Sequence, residues 1–192
     1  MTPTVHERVS APSLTGRERR LDRDDVLVSK TDVKGRLTYA NDRFLQLAGY
    51  AESEILGRAH NIIRHPDMPR CVFRFMWQTI AAGSEVFAYV VNRSSNGDHY
   101  WVLAHVTPTF DRRGCIIGYH SNRRCPGREG VRFFTNLHRR LREVEQRHRT
   151  PNEQWQASLP VLAAELEELG MTWNELVFSR LVEETVPTES VA

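Results

Sequence analysis

Glu85-Val86-Phe87-Ala88-Tyr89-Val90-Val91-Asn92-Arg93, then Ser94-Ser95-Asn96-Gly97-Asp98, then His99-Tyr100-Trp101-Val102-Leu103 read as a strand, a turn and a second strand. β-Branched and aromatic residues dominate both runs, and Asn96-Gly97 between them is the strongest short hairpin signal in the chain. The second run continues to Phe110. Arg112-Arg113-Gly114 makes another turn, and Cys115 to Asn122 gives one more strand. Three consecutive antiparallel strands are therefore expected over residues 85–122.

N-terminal to them the period changes. Val26-Leu27-Val28 starts a strand, Asp32-Val33-Lys34-Gly35 is turn chemistry, and Arg36 to Ala40 reads as the hairpin partner. Asn41 is placed as an N-cap before Phe44, Leu45, Leu47 and Ala48, with Gly49 ending the helix. A short helical piece, Glu52 to Leu56, stops at Gly57, and Cys71 to Ala82 reads as a longer helix closed by Gly83. Two strands, several short helices and three strands make an α+β domain, a five-stranded antiparallel sheet with helices on one face. Such an arrangement leaves an interior pocket of small-molecule size.

Beyond the last strand the chain turns helical. Phe134, Leu137, Leu141 and Val144 form a seam on a basic helix, and Trp155, Leu159, Leu162, Leu166 and Leu169 form one on an acidic helix after the Thr150-Pro151-Asn152 break. Pro160 is expected to kink or restart that second helix. Thr172-Trp173-Asn174-Glu175 is a capping box for a last short helix. The two seams face each other, cover the domain's open face, or meet a partner. A homodimer is one such outcome. The expected organisation is a flexible segment 1–22, a domain 23–126 and a helical extension 127–192.

The chain has 192 residues, 40% hydrophobic and 26% charged, with a formal net charge of +2. That balance supports a real core and gives no ground for nucleic-acid binding. No apolar run approaches the roughly 20 residues of a membrane-spanning helix, and no signal-peptide core opens the chain. Direct membrane insertion is not expected. Cys71, Cys115 and Cys125 form no CxxC pair, which fits free thiols in a cytoplasmic protein.

Between the short helices lies His60-Asn61-Ile62-Ile63-Arg64-His65-Pro66-Asp67-Met68-Pro69. Pro66 and Pro69 remove two backbone donors, so this is neither helix interior nor central strand. A rigid bend carrying Arg64, His65 and Asp67 beside an apolar core suits the gripping of a polar ligand end. Asp67 capping the next helix is the plainer alternative.

Asp32-x-x-Gly35, Thr38-Tyr39-Ala40-Asn41, Phe44, Gly49-Tyr50 and Leu56-Gly57 together resemble the opening of a PAS domain. Asn92-Arg93, Asn96 to Val102 and Gly118-Tyr119 resemble its closing strands. The 61–69 segment with Phe73 and Met76-Trp77 resembles the flavin-binding PAS domain of bacterial aerotaxis receptors in particular. The resemblance covers residues 25–125 and implies non-covalently bound FAD, a redox or oxygen sensing role, and a signalling partner such as a chemotaxis receptor. It points to Arg64, His65 and Asp67, with Asn41, Trp77 and Asn92 as further site residues. An isoalloxazine needs polar partners at its edge and apolar or aromatic walls, and Arg64 has the fork to meet a diphosphate. A nearby cation favours the anionic reduced form.

One departure stands out. Where those receptors carry a Trp followed by small residues, this chain reads Glu85-Val86-Phe87-Ala88. Phe87 either replaces the missing wall or, one position along a strand, points to the opposite face. No membrane span or methyl-accepting module follows, so output is expected to pass to a separate polypeptide.

Other functions have less behind them. His60, His65 and Asp67 match no zinc spacing. Haem ligation by His99, His105 or His120 lacks a supporting motif. A photo-adduct needs a Cys where His60 stands. No nucleophile–base pair or phosphate loop suggests an enzyme. A cofactor-free scaffold that binds a partner through its C-terminal helices is the main competing reading.

Overall fold

The computed structural model describes residues 13–181. Five strands, β1 (Val26–Asp32), β2 (Leu37–Ala40), β3 (Val86–Arg93), β4 (His99–Phe110) and β5 (Ile116–Arg124), form one antiparallel sheet in the order β2-β1-β5-β4-β3. Helices α1 (Asp42–Ala48), α2 (Glu52–Ile55) and α3 (Arg70–Ala81) lie between β2 and β3, and α4 (Arg128–Glu145), α5 (Pro151–Leu169) and α6 (Trp173–Ser179) follow β5. The expected α+β order is present, and the bounds expected for β2 to β5 and for α1 to α3 fall within two residues of those observed.

Local chemistry explains the turns. Asp32 Oδ1 accepts the N–H groups of Lys34 (2.8 Å) and Arg36 (2.9 Å), and Asp111 does the same for Arg113 (2.8 Å) and Cys115 (2.9 Å). At the β3–β4 turn Gly97 has φ 91°, and a Cβ there would lie 2.0 Å from the Ser13 carbonyl oxygen. Only glycine lets the N-terminal strap cross so closely.

That strap corrects one expectation. Residues 1–12 lie outside the described residues, but 13–22 are bound along the β3–β4 hairpin. Thr15 N–H donates to Gly97 O (3.1 Å), Arg19 N–H to His99 O (2.7 Å), and His99 N–H to Arg17 O (2.9 Å). The pairing runs through backbone groups, with Leu21 the apolar anchor. Side-chain periodicity therefore does not announce it.

Strand alternation divides the sheet. Val86, Ala88, Val90 and Asn92 on β3, opposite Val106, Ala104, Val102 and Tyr100 on β4, face α1–α3. Phe87, Tyr89 and Val91 face the other way. There α4 and α6 cover them: Phe134 stacks on Tyr89 with centroids 4.6 Å apart, Phe178 meets Phe87 at 4.8 Å, and Trp173 Nε1 donates to Phe87 O at 2.7 Å. Gly130 admits the close approach, since a Cβ there would meet the Tyr89 hydroxyl at 2.2 Å.

Of the α4 seam, Phe134, Leu137 and Leu141 are therefore buried while Val144 is half-buried, and α5 packs against α3 and α4. Helix α5 runs unbroken through Pro160, whose side is exposed, so the carbonyl it leaves unpaired faces water.

Candidate ligand cavity

The inner face of the sheet and α3 enclose a cavity of about 630 Å3. Its floor carries Ser29 and Thr31 from β1, Asn92 from β3, and Tyr119, Ser121 and Arg123 from β5. The bend and α3 contribute His60, Arg64, Phe73 and Trp77. The mouth is bordered by Lys34, Arg70 and Arg74, with Asn152 and Trp155 from α5.

The segment 60–69 is a 3-10 turn, His60–Ile63, followed by a self-bonded loop. Arg64 bridges to Asn92 on β3, its Nη2 donates to Met68 O at 2.9 Å, and its guanidinium lies 4.5 Å from the Phe73 ring centre. Inside this loop Asp67 N–H donates to His65 Nδ1 at 3.2 Å. Burial, followed by the nearby Arg70, pushes the Arg64 pKa down to about 10.

A second guanidinium lies deeper. Arg123 is 4% exposed; Nη1 donates to Ser29 Oγ at 3.0 Å and Nη2 to His60 Nε2 at 2.7 Å. Burial pushes its pKa down to about 10. His60 is half-exposed as a residue, yet its Nε2 end is enclosed by Arg123 and Ser29. Burial first and Arg123 second push its pKa down to about 3, so the ring is a neutral acceptor. Among the described residues neither Arg64 nor Arg123 is paired with a carboxylate. Three further polar atoms of the cavity residues, Asn92 Nδ2, Ser121 Oγ and Thr31 Oγ1, are buried without a hydrogen-bond partner. Unpaired cations beside orphaned polar atoms make this a site for an anionic or polar-edged ligand.

The six residues named from the sequence divide. Arg64, Trp77 and Asn92 line the cavity. Trp77 stands at its wall, edge-on to Tyr119 at 5.4 Å, and is 38% exposed. His65 and Asp67 face a separate depression with His99, Trp101 and His138, and their connection to the cavity is the loop they brace behind Arg64. Asn41 is a structural cap: Oδ1 accepts from Phe44 N–H (3.1 Å) and Val28 N–H (2.9 Å), while Nδ2 donates to Val26 O (2.8 Å). Asp67 caps nothing, because the α3 N-cap is Pro69.

Phe87 resolves to the outer face, where it stacks on His105 at 4.1 Å, so Trp77, Tyr119 and Phe73 form the aromatic walls instead. His99, His105 and His120 also point outward by register, away from the cavity. Arg123 falls one residue past the strand end expected at Asn122, which hides it in the sequence. The signal was the alternation Tyr119, Ser121, Arg123, which puts a charge on the core face of a strand.

A profile of the PAS fold family matches residues 37–122. The aerotaxis receptor of Escherichia coli K12 is 45% identical over 114 residues, 59% of this chain and 22% of that protein. The nitrogen fixation regulatory protein of Klebsiella pneumoniae is 26% identical over 99 residues, 52% of this chain and 20% of that protein. The chain thus spans about a fifth of the length of these relatives. Among solved structures, the light-state LOV domain of the blue-light photoreceptor aureochrome 1 superposes with TM-score 0.52 at 25% identity, covering 57% of this chain and 88% of that one. No described helix is long and apolar enough to cross a membrane. The sheet order, the cavity and these likenesses together show a PAS fold over residues 37–122, within the stretch that is similar to the aerotaxis receptor.

Proposed function

We propose that the chain is a sensor that binds a flavin, FAD, in this cavity and reports redox or oxygen status to a separate signalling protein such as a chemotaxis receptor. The observation that carries this reading is that Arg64 and Arg123 line one cavity: a half-buried and a buried guanidinium without a carboxylate, walled by Trp77, Tyr119 and Phe73. The fit to a flavin is chemical. Asn92 Nδ2 offers a donor, Ser121 and Thr31 hydroxyls offer either role, and the aromatic walls suit a flat ring. When bound, a flavin supplies reversible exchange of electrons and protons, and the two arginines favour its more negative form.

The chain also offers a route outward. Arg64 holds Met68 O, and Met68 stands two residues before α3. The first turn of α3 is tied to α4 through Glu145, whose Oε1 accepts Arg70 N–H at 2.6 Å. A change in charge beside Arg64 would draw on that bond and bias the packing of the C-terminal helices. Absorbance of the purified protein tests the reading: the bands of an oxidised flavin are expected. Colourless protein that also fails to take up added FAD would sink it.

A further inference from the structure

The C-terminal extension does more than cover the sheet, for its helix α5 reaches the cavity mouth. Pro151, Asn152 and Trp155 border the opening, facing Arg70 and Arg74 on α3. The Arg74 guanidinium lies 5.1 Å from the Trp155 ring centre, and Trp155 Nε1 donates to Asn152 Oδ1 at 3.1 Å, which fixes the indole's orientation. Arg70 Nε donates to Gln154 Oε1, so α5 and α3 are joined across the opening. None of Lys34, Arg70 and Arg74 is paired with a carboxylate among the described residues. The mouth thus presents three cations and one oriented indole, continuous with the enclosed space below.

We infer that this mouth is the subsite for the diphosphate and adenine of a dinucleotide flavin, Arg70 and Arg74 taking the diphosphate and Trp155 the adenine. The inference rests on the flavin reading and extends it: a helix outside the PAS domain becomes part of the ligand site. Guanidinium forks match phosphate geometry, and an indole offers a stacking face to a purine. The enclosed part, floored by Asn92, Ser121 and Arg123, is left for the isoalloxazine. The polar chain joining the two halves of the ligand would pass Arg64.

Dissociation constants of riboflavin, FMN and FAD for the full chain test this, measured by quenching of flavin fluorescence. Wild type is expected to bind FAD at least about tenfold more tightly than riboflavin, the scale of one base–aromatic stack plus phosphate contacts. Trp155→Ala should collapse the advantage of FAD over FMN, and Arg74→Ala that of FMN and FAD over riboflavin. Arg74 is exposed, so its variant should fold, and far-UV circular dichroism checks both. Equal affinity of wild type for riboflavin and FAD would overturn the subsite and leave the flavin reading standing. Unchanged ratios in both variants would do the same. Failure of all three ligands to bind would overturn the flavin reading itself.

Discussion

The carboxylate of Glu145 on α4 caps α3 at Cys71, whose backbone N–H it accepts at 3.1 Å. The same Oε1 accepts Arg70 N–H at 2.6 Å and the Ser158 hydroxyl at 2.9 Å, while Oε2 takes Arg142 Nη1 at 2.8 Å. Glu145 is fully buried, so one acidic group joins the helix beside the ligand cavity to both long helices of the extension.

Glu145→Ala removes a cap and strands buried donors, and should cost about 3 kcal/mol. Glu145→Gln keeps an acceptor oxygen and should cost about 1 kcal/mol. Urea unfolding of both variants measures this. Equal losses would mean that the charge beside Arg142, rather than the cap, carries the stabilisation.

His138 stacks on Trp101 at 5.5 Å, and both ring nitrogens are buried without a hydrogen-bond partner. Burial lowers its pKa from the ordinary 6.5 to about 3. The unfolded chain therefore binds the proton first, and stability falls as pH drops from about 6.5 towards 3, by ~1.4 kcal/mol per pH unit. His138→Phe should flatten that dependence by one proton between pH 6.5 and 5 and leave stability at pH 7 equal or higher. Denaturant midpoints across this range decide it; an unchanged slope would show that His138 does not titrate on unfolding.

Arg123→Met and Arg64→Ala delete, respectively, a buried and a half-buried guanidinium from the cavity. Each should weaken flavin binding about 10- to 100-fold, the scale of one or two charge-assisted hydrogen bonds. Flavin titration with a thermal melt beside it separates ligand loss from unfolding. Retained affinity in both variants would remove the two arginines from the site.

Gly130→Ala sets two effects against each other. Alanine in a helix interior ordinarily gains about 1 kcal/mol over glycine. Here the new Cβ would meet Tyr89 Cζ at 2.3 Å and its hydroxyl at 2.2 Å, an overlap costing ~1–3 kcal/mol. The clash should win, lowering the melting temperature and loosening α4 from the sheet. A rise in melting temperature would show that α4 does not sit against Tyr89.

Much of the fold was legible. Asp32 and Gly35, Asn96 and Gly97, and Gly114 mark their turns by local hydrogen bonding and backbone freedom, and Asn41 and Thr172 mark helix starts as caps. Of the residues named from the sequence, Arg64, Trp77 and Asn92 line the cavity; His65 and Asp67 stand beside Arg64 in the bend but face the other way. Neighbours in sequence on a bend diverge in space, and no local pattern says which one enters a cavity.

The sequence by itself determined the strand and helix order and the turns, because these follow from periodicity and interactions within a few residues, and its motifs carried the resemblance to a PAS domain. Tertiary structure alone decided that Arg123 and His60 meet under the sheet, that Phe87 turns outward to α6, that Glu145 caps a helix laid down much earlier in the chain, and that Trp155 stands at the cavity mouth. Each depends on strand register and on helix docking across the chain, which pair residues through shared burial rather than proximity in sequence.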